Sequence, residues 1–398
     1  MTLSVDVSKL RNLYNSYLMD INKEALKLHA KHKGKIGLFV KTPIRNRTDL
    51  SLAYTPGVAA VSRAIAKDKN KVYDYTSKAN TVAIVTDGTA VLGLGDIGPE
   101  AALPVMEGKA ILMKEFADVD AYPLCLATKD VDEIVAIVKA ISPGFGAINL
   151  EDISAPRCFE VEERLKKELD IPVFHDDQHG TAIVVLAGLI NACEVTKRKL
   201  ADSKIVISGA GAAGIAVGKI LLARGVKNIV MANSRGIINK KMKDLNWAQE
   251  EMTRLTNPNH EAGTLKDALK NADVFIGVSA PNIIAAKDVS FMNKDAIVFA
   301  LANPTPEIMP EEARKGGAAV IATGRSDYPN QVNNVLAFPG VFRGALDSRA
   351  KEVTENMKLM AAKALADYVK KPNPTNIISD VLDKKVVKIV ARAVKGAG

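Results

Sequence analysis

Cysteine is scarce in this chain: three in 398 residues, Cys125, Cys158 and Cys193, widely spaced and with no C-x-x-C pair. An odd count at such spacing argues against a disulfide framework and fits a reducing, cytoplasmic setting. Aromatic residues make up 5% of the chain, which gives no sign of surfaces on which bases stack. Basic blocks are missing too. The formal net charge is +9, yet the lysines are scattered, so no nucleic-acid partner is expected, while the diffuse positive field attracts small anions such as dicarboxylates and pyrophosphates. Nor is there a long apolar run: residues 181–192 and 205–218 are too short or too rich in glycine to cross a bilayer, and residues 1–10 carry Asp6 and no apolar h-region. No membrane role and no export are expected.

What the chain does have is the balance of a soluble globular protein, 47% hydrophobic and 25% charged, at a length that favours two domains or three. Helical spacing over 10–32 gives way to a stretch punctuated by Gly34, Gly37, Pro43 and Pro56. Two strand-like runs, 82–85 and 90–92, parted by Asp87-Gly88, predict a hairpin. Helices are expected over 104–116, 130–141, 159–169 and 180–193, and strands over 122–127, 147–150 and 171–174. The last two strands deliver Glu151-Asp152 and Asp176-Asp177, so both acidic pairs fall at strand ends, where open parallel sheets place ligands.

From Lys204 the order is strand, glycine turn, helix, strand, with further strands at 273–278, 296–301 and 318–322. That order predicts a Rossmann-type doubly wound dinucleotide domain. Two closing helices are expected over 341–369 and 377–395, parted by Pro372 and Pro374. The fold class is therefore α/β: a smaller N-terminal α/β substrate domain over 1–152, the dinucleotide domain over 153–345, and C-terminal closing helices over 346–398.

Two segments match G-x-G-x-x-G. Gly93-Leu94-Gly95-Asp96-Ile97-Gly98 runs straight into Pro99 without a strand-to-helix context and reads as a tight loop. Gly209-Ala210-Gly211-Ala212-Ala213-Gly214 follows a strand and opens a helix, so its free amides and the positive helix end are suited to a pyrophosphate. The next strand ends at Asn233-Ser234-Arg235, where an NAD-specific domain usually places an acid. Asn233 carries no charge to repel a 2′-phosphate and Arg235 can pair with one, which favours NADP over NAD. Ser279, at the end of a later strand, is assigned to the same cofactor site.

Carboxylates grouped as closely as Glu151-Asp152 and Asp176-Asp177 repel one another unless a cation sits between them, and oxygen donors suit magnesium or manganese. His175 and His179 stand four apart, but they straddle a strand end and a helix start, so a zinc helix is not expected. Tyr54 and Lys109 carry no signal by pattern alone; a lysine serves as a base only when burial or positive charge lowers its pKa.

Taken together, Ser51-Leu52-Ala53-Tyr54-Thr55-Pro56-Gly57-Val58-Ala59, the run Thr86 to Gly98, Pro104-Val105-Met106-Glu107-Gly108-Lys109, Asn149-Leu150-Glu151-Asp152, Phe174-His175-Asp176-Asp177, Ala302-Asn303-Pro304-Thr305-Pro306 and Gln331-Val332-Asn333-Asn334 resemble a malic enzyme of the short prokaryotic form. The resemblance implies oxidative decarboxylation of malate to pyruvate and carbon dioxide, with NAD(P) and a divalent metal, in a homodimer or higher homo-oligomer. By motif it makes Lys109 the general base and Tyr54 the acid that protonates the enolate carbon. It makes Glu151, Asp152 and Asp177 the metal ligands, with Asp176 beside them among the catalytic residues. Asn303 and Asn334 match the asparagines that hold the substrate carboxylate near the nicotinamide. In larger relatives an arginine stands at the position of Ala90, which leaves open which cation pairs with the malate carboxylates here. Two rivals are a malate or oxaloacetate decarboxylating lyase that retains its nucleotide and a catalytically silent nucleotide sensor.

Overall fold

A computed structural model describes residues 21–91 and 93–398. Residues 21–32 are helical, and the rest of the helix expected from residue 10 lies outside the described residues, as does Leu92. Four parallel strands form a first sheet in the order β2-β1-β3-β4: β1 (Thr81–Thr86), β2 (Asp120–Cys125), β3 (Ala147–Leu150) and β4 (Val173–His175). Every residue of β1 and β3 is buried, as expected of β-branched, apolar runs covered on both faces. The first sheet takes in β4, past residue 152, through the register Ile148 to Val173.

The expected hairpin over 82–92 does not form. Both edges of β1 are occupied by parallel neighbours, β2 and β3, so no edge is left for a returning strand. The chain turns away at Gly88 (φ +69°), Val91 bridges Gly95, and the Ala90 N–H donates to the Asp152 carbonyl at 2.9 Å. The first glycine motif is thereby a loop held across the strand ends.

Helix α1 (Pro99–Ala117) begins five residues before the expected start at Pro104. Pro99 sits in the first turn, where its missing N–H has no partner to lose, after Gly98 at φ +80°. Pro104 lies inside the helix, and the carbonyl it leaves free belongs to exposed Glu100. Helices α2 (Val131–Ile141) and α3 (Arg157–Glu168) join the strands of the first sheet, and α2 is capped by Asp130, whose side chain accepts from the Glu133 N–H.

Helix α4 (Asp176–Val195) starts four residues earlier than the sequence predicts and leaves β4 with no loop between them. At 20 residues it is long and apolar enough to cross a membrane, but 72% of its apolar window is buried inside this protein. Ile183, Val185, Leu186 and Leu189 are fully buried, each contributing about 1.5–3 kcal/mol by leaving water.

The second sheet has the order β10-β9-β8-β5-β6-β7. Its strands are β5 (Lys204–Ser208), β6 (Asn228–Asn233), β7 (Gly236–Ile237), β8 (Val274–Gly277), β9 (Ala296–Ala300) and β10 (Ala318–Thr323), with only β7 antiparallel. Strand β5 lies between β6 and β8, so the order reverses there and opens the crevice typical of doubly wound sheets. Helix α5 (Ala212–Ala223) follows β5 and packs against α4.

The carboxyl-terminal region forms three helices where two are expected: α6 (Phe338–Ser348), α7 (Glu355–Tyr368) and α8 (Lys384–Gly396). Arg349 in the left-handed region ends α6 and the Thr354 side chain caps α7, breaking the expected 341–369 helix in two. Helix α6 packs on α1 and α8, and α7 on α4, so the end of the chain closes over the first sheet's helices and the central helix together.

Candidate active site

Strands β3 and β4 are parallel neighbours with Leu150 opposite His175, so the residues that follow each strand emerge side by side. Glu151 and Asp152 follow β3. Asp176 and Asp177 are the first two residues of α4 rather than strand-end residues, where the positive end of the helix favours carboxylates. One oxygen from each of Glu151, Asp152 and Asp177 lies within 4.8 Å of the others. Asp152 adopts φ +54°, and its N–H donates to Asp177 Oδ2 at 2.8 Å. Asp152 Oδ2 is buried with no hydrogen-bond partner.

Burial and the neighbouring Asp177 and Glu151 push the Asp152 carboxyl up to about 9, and burial pushes Asp176 up to about 8. Burial raises Glu151 and Asp177 as well. Several carboxylates this close and this dry oppose one another's ionisation, and a hard dication removes the conflict. The orphaned Asp152 oxygen and the all-oxygen donor set fit magnesium or manganese.

Lys109 projects from α1 into the same cluster, 8% exposed. Its Nζ lies 2.5 Å from Asp176 Oδ2, 2.8 Å from Glu151 Oε1 and 4.1 Å from the centre of the Phe338 ring. Burial works to lower its pKa, but Asp176 and Glu151 outweigh it and hold the amine above the ordinary lysine range. Asn334 Nδ2 donates to the same Asp176 oxygen at 2.6 Å. A Cβ at Gly180 would stand 1.8 Å from Asp176 Oδ1, so a bare residue one turn on makes room for this carboxylate.

The second glycine motif links strand to helix, the local context its sequence predicts. Gly209 has φ +110°, and a Cβ on Gly214 would meet the Gly209 carbonyl at 1.7 Å, so the helix approaches the turn only because residue 214 is bare. A Cβ on Gly211 meets nothing within 4 Å: that side is open for a ligand. Ala212, Ala213 and Gly214 form the first turn of α5. A cavity of about 670 Å³ is lined by Gly209, Gly211, Asn233, Ser234, Arg235 and Ser279, and it reaches Ala155, three residues after Asp152. Arg235 is held at its edge by the Lys243 and Asp244 carbonyls, at 2.9 and 3.0 Å.

Asn303 is not among the residues lining that cavity. Its Nδ2 reaches the Leu301 carbonyl at 3.4 Å, and its amide fills the space a Cβ on Gly324 would need. Gly93 of the first glycine motif abuts it, since a Cβ there would lie 3.2 Å from the Asn303 carbonyl. The loop from the first sheet and the loop after β9 thus face one another. Tyr54 stands apart: it is 65% exposed, and among the described residues no hydrogen bond ties its hydroxyl to Lys109.

Residues 33–166 match the malic enzyme N-terminal domain and residues 178–395 match the malic enzyme NAD binding domain. The chain belongs to the malic enzymes. A protein named NAD-dependent malic enzyme from Geobacillus stearothermophilus is 57% identical over 98% of this chain and 81% of its own length. The bifunctional malic/malolactic enzyme of Bacillus subtilis is 56% identical over 95% of this chain and 93% of its own. A crystal structure of NAD-dependent malic enzyme from Thermotoga maritima superposes with a TM-score of 0.92 at 51% identity, covering 94% of this chain and 99% of that one. Relatives between 46% and 49% identical are named for either NAD or NADP.

This malic enzyme surrounds its carboxylates with residues that motif reasoning passes over. Glu162 on α3 is buried, accepts the His175 N–H at 3.1 Å and holds His179 Nε2 at 2.9 Å from both its oxygens. Burial works to raise the Glu162 carboxyl, but His179 and Lys166 hold it well below the usual range. His179 is thus spent on Glu162, while the buried ring nitrogens of His175 have no hydrogen-bond partner and the nearest carboxylate oxygen, from Asp177, is 3.8 Å from Nε2. A signal for Glu162 existed: with Cys158, Val161 and Leu165 it falls on one helical face, and a glutamate on a buried stripe needs a partner. Phe338 and Gly180 gave no signal, because each matters through a residue distant in sequence.

Proposed function

We propose that this malic enzyme oxidises malate at C2 and decarboxylates the 2-oxo acid to pyruvate and carbon dioxide, with NAD(P) as hydride acceptor and magnesium or manganese on Glu151, Asp152 and Asp177. The observation that carries this reading is the convergence of those three carboxylates with buried Lys109, near a cavity of about 670 Å³ that runs from the glycine turn to Ala155. When bound, the metal supplies a Lewis acid for the substrate carbonyl and the nicotinamide a hydride acceptor. Lys109 and Asp176, 2.5 Å apart, act as one proton-holding pair that takes the proton from the C2 hydroxyl oxygen. Asn334 fixes Asp176 from the other side, and Asn303 and Asn334 orient the substrate carboxylate. Tyr54 is assigned by its motif to return a proton to the enolate carbon. Self-association belongs with this reading, since Leu38 is 84% exposed and Phe39, Val40 and Leu52 are exposed with it near Tyr54 in the sequence. We place the enzyme in the cytoplasm.

For the cofactor we propose NADP, with Arg235 presented by two carbonyls to a 2′-phosphate. Initial rates with malate, each nucleotide and each metal test the whole reading, and no pyruvate under any combination would overturn it. Arg235→Ala is expected to raise the KM for NADP far more than for NAD; equal effects would remove the phosphate assignment. A second reading, a lyase with a retained nucleotide, draws support from the 56% identical relative named for malolactic as well as malic activity. Lactate formed without net nicotinamide reduction would favour it.

A further inference from the structure

We propose that Glu307 is a positioning residue of the redox site: its buried carboxylate ties the loop after β8 to the loop after β9, and so sets how Ser279 and Asn303 meet the nicotinamide end of the dinucleotide. This inference rests on the nucleotide reading given above. Glu307 is fully buried. Its Oε1 accepts the Ser279 N–H at 2.8 Å and its Oε2 accepts the Ala302 N–H at 3.0 Å, one residue before Asn303. The Ser279 hydroxyl in turn lies 3.0 Å from the Ser208 hydroxyl at the end of β5. One carboxylate therefore joins the ends of the adjacent parallel strands β8 and β9, and the Ser279 hydroxyl carries the link on to β5, where the strand order reverses and ligands bind.

Two further features point the same way. Both partners of the carboxylate are donors, so only a group with two acceptor oxygens satisfies them, and a glutamine of equal size must turn its NH₂ towards one N–H. Gly277, the last residue of β8, is bare where it has to be: a Cβ there would lie 2.3 Å from Glu307 Cδ. Burying a carboxylate carries a desolvation penalty. An apolar residue would fill the same space without that penalty, so the acceptor function is what the position requires. Ser279 lines the nucleotide cavity directly, which makes the tie a matter of ligand geometry and not of packing alone.

The test compares wild type with Glu307→Gln, Glu307→Asp and Gly277→Ala, measuring kcat and KM together with the affinities for reduced nicotinamide nucleotide and for ADP-ribose, which lacks the nicotinamide. Glu307→Gln and Gly277→Ala are expected to lower kcat about 10- to 100-fold, the scale of a displacement near 1 Å. Both should also weaken binding of the full nucleotide more than that of ADP-ribose, eroding the preference between them, and Glu307→Asp, which keeps two acceptors, should fall between. Wild-type kcat and wild-type preference in Glu307→Gln would overturn the proposal, as would an equal loss of both ligands. If Glu307→Gln does not fold, a folded Glu307→Asp and Gly277→Ala with wild-type preference would overturn it equally. Failure of the wild-type enzyme to oxidise malate would instead sink the activity reading, because the ligand comparison is made without malate.

Discussion

Lys109 is charged in the arrangement described here because two carboxylates surround it, and that fixes what its removal should do. Lys109→Ala is expected to lower kcat about 10²- to 10⁴-fold, the range for a positioned acid or base. Near wild-type turnover would discard its part in the proton-holding pair with Asp176. The same change leaves Glu151 and Asp176 buried without their cation, which should lower stability by about 3–5 kcal/mol, read from denaturant unfolding. The cysteines give a prediction independent of the chemistry. Burial pushes the Cys193 thiol up to about 11 and the Cys158 thiol higher still, while Cys125 is only partly buried. Since the thiolate is the reactive form, Cys193 is almost wholly the unreactive thiol at pH 8, and its reactivity should rise as the pH approaches 11. Alkylation at pH 8 followed by mass spectrometry should therefore label Cys125 in the native protein and all three thiols after denaturation. Labelling of native Cys193 at the rate of the denatured thiol would contradict its burial.

At the scale of elements, the junction of β4 and α4 carries the most consequence. The sequence places the start of the helix at Gly180, because the aspartates look like strand-end residues. The structure starts the helix at Asp176, since carboxylates are favoured in a first turn and Glu162 accepts the His175 N–H just before it. Gly180→Ala separates the two influences. Alanine should favour the helix by about 0.5–1 kcal/mol, but its Cβ would fall 1.8 Å from Asp176 Oδ1 and must displace that carboxylate. Contact wins over propensity at that distance, so kcat should fall about 10²-fold or more while circular dichroism shows the helix retained. An active Gly180→Ala enzyme would mean that the position of Asp176 is immaterial. The failed hairpin over 82–92 has a comparable cause: Asp87-Gly88 is a sound turn signal, but turn chemistry cannot know that both edges of β1 are already taken.

For the whole molecule, the proposed metal should act as a ligand that binds the folded state alone. Manganese at about 100 times its Kd is expected to add about 2.7 kcal/mol of stability, seen as a raised Tm that chelation reverses. Asp177→Asn should abolish that increment with less effect on the apo protein; a metal shift that survives this substitution would place the ion elsewhere. The five parallel strands of the second sheet, the glycine turn and the acidic pairs after β3 and β4 were legible in sequence, since hydrophobic period, turn residues and charge clusters are local properties of the chain; the two-residue antiparallel β7 was not. The family resemblance named the chemistry on those same residues. Which side chains touch was not legible: Lys109 and Asp176 lie 67 residues apart, and Asn334 reaches the same oxygen from 158 residues away. Sequence alone determined that this protein has a doubly wound sheet, a glycine turn that opens a helix and a set of closely spaced carboxylates. Only the tertiary structure decided that Glu307 binds two loops together, that Gly180 and Gly277 are bare for the sake of distant carboxylates, and that Lys109 is buried among acids. Long-range packing brings those groups within ångströms, and no local pattern encodes a contact of that kind.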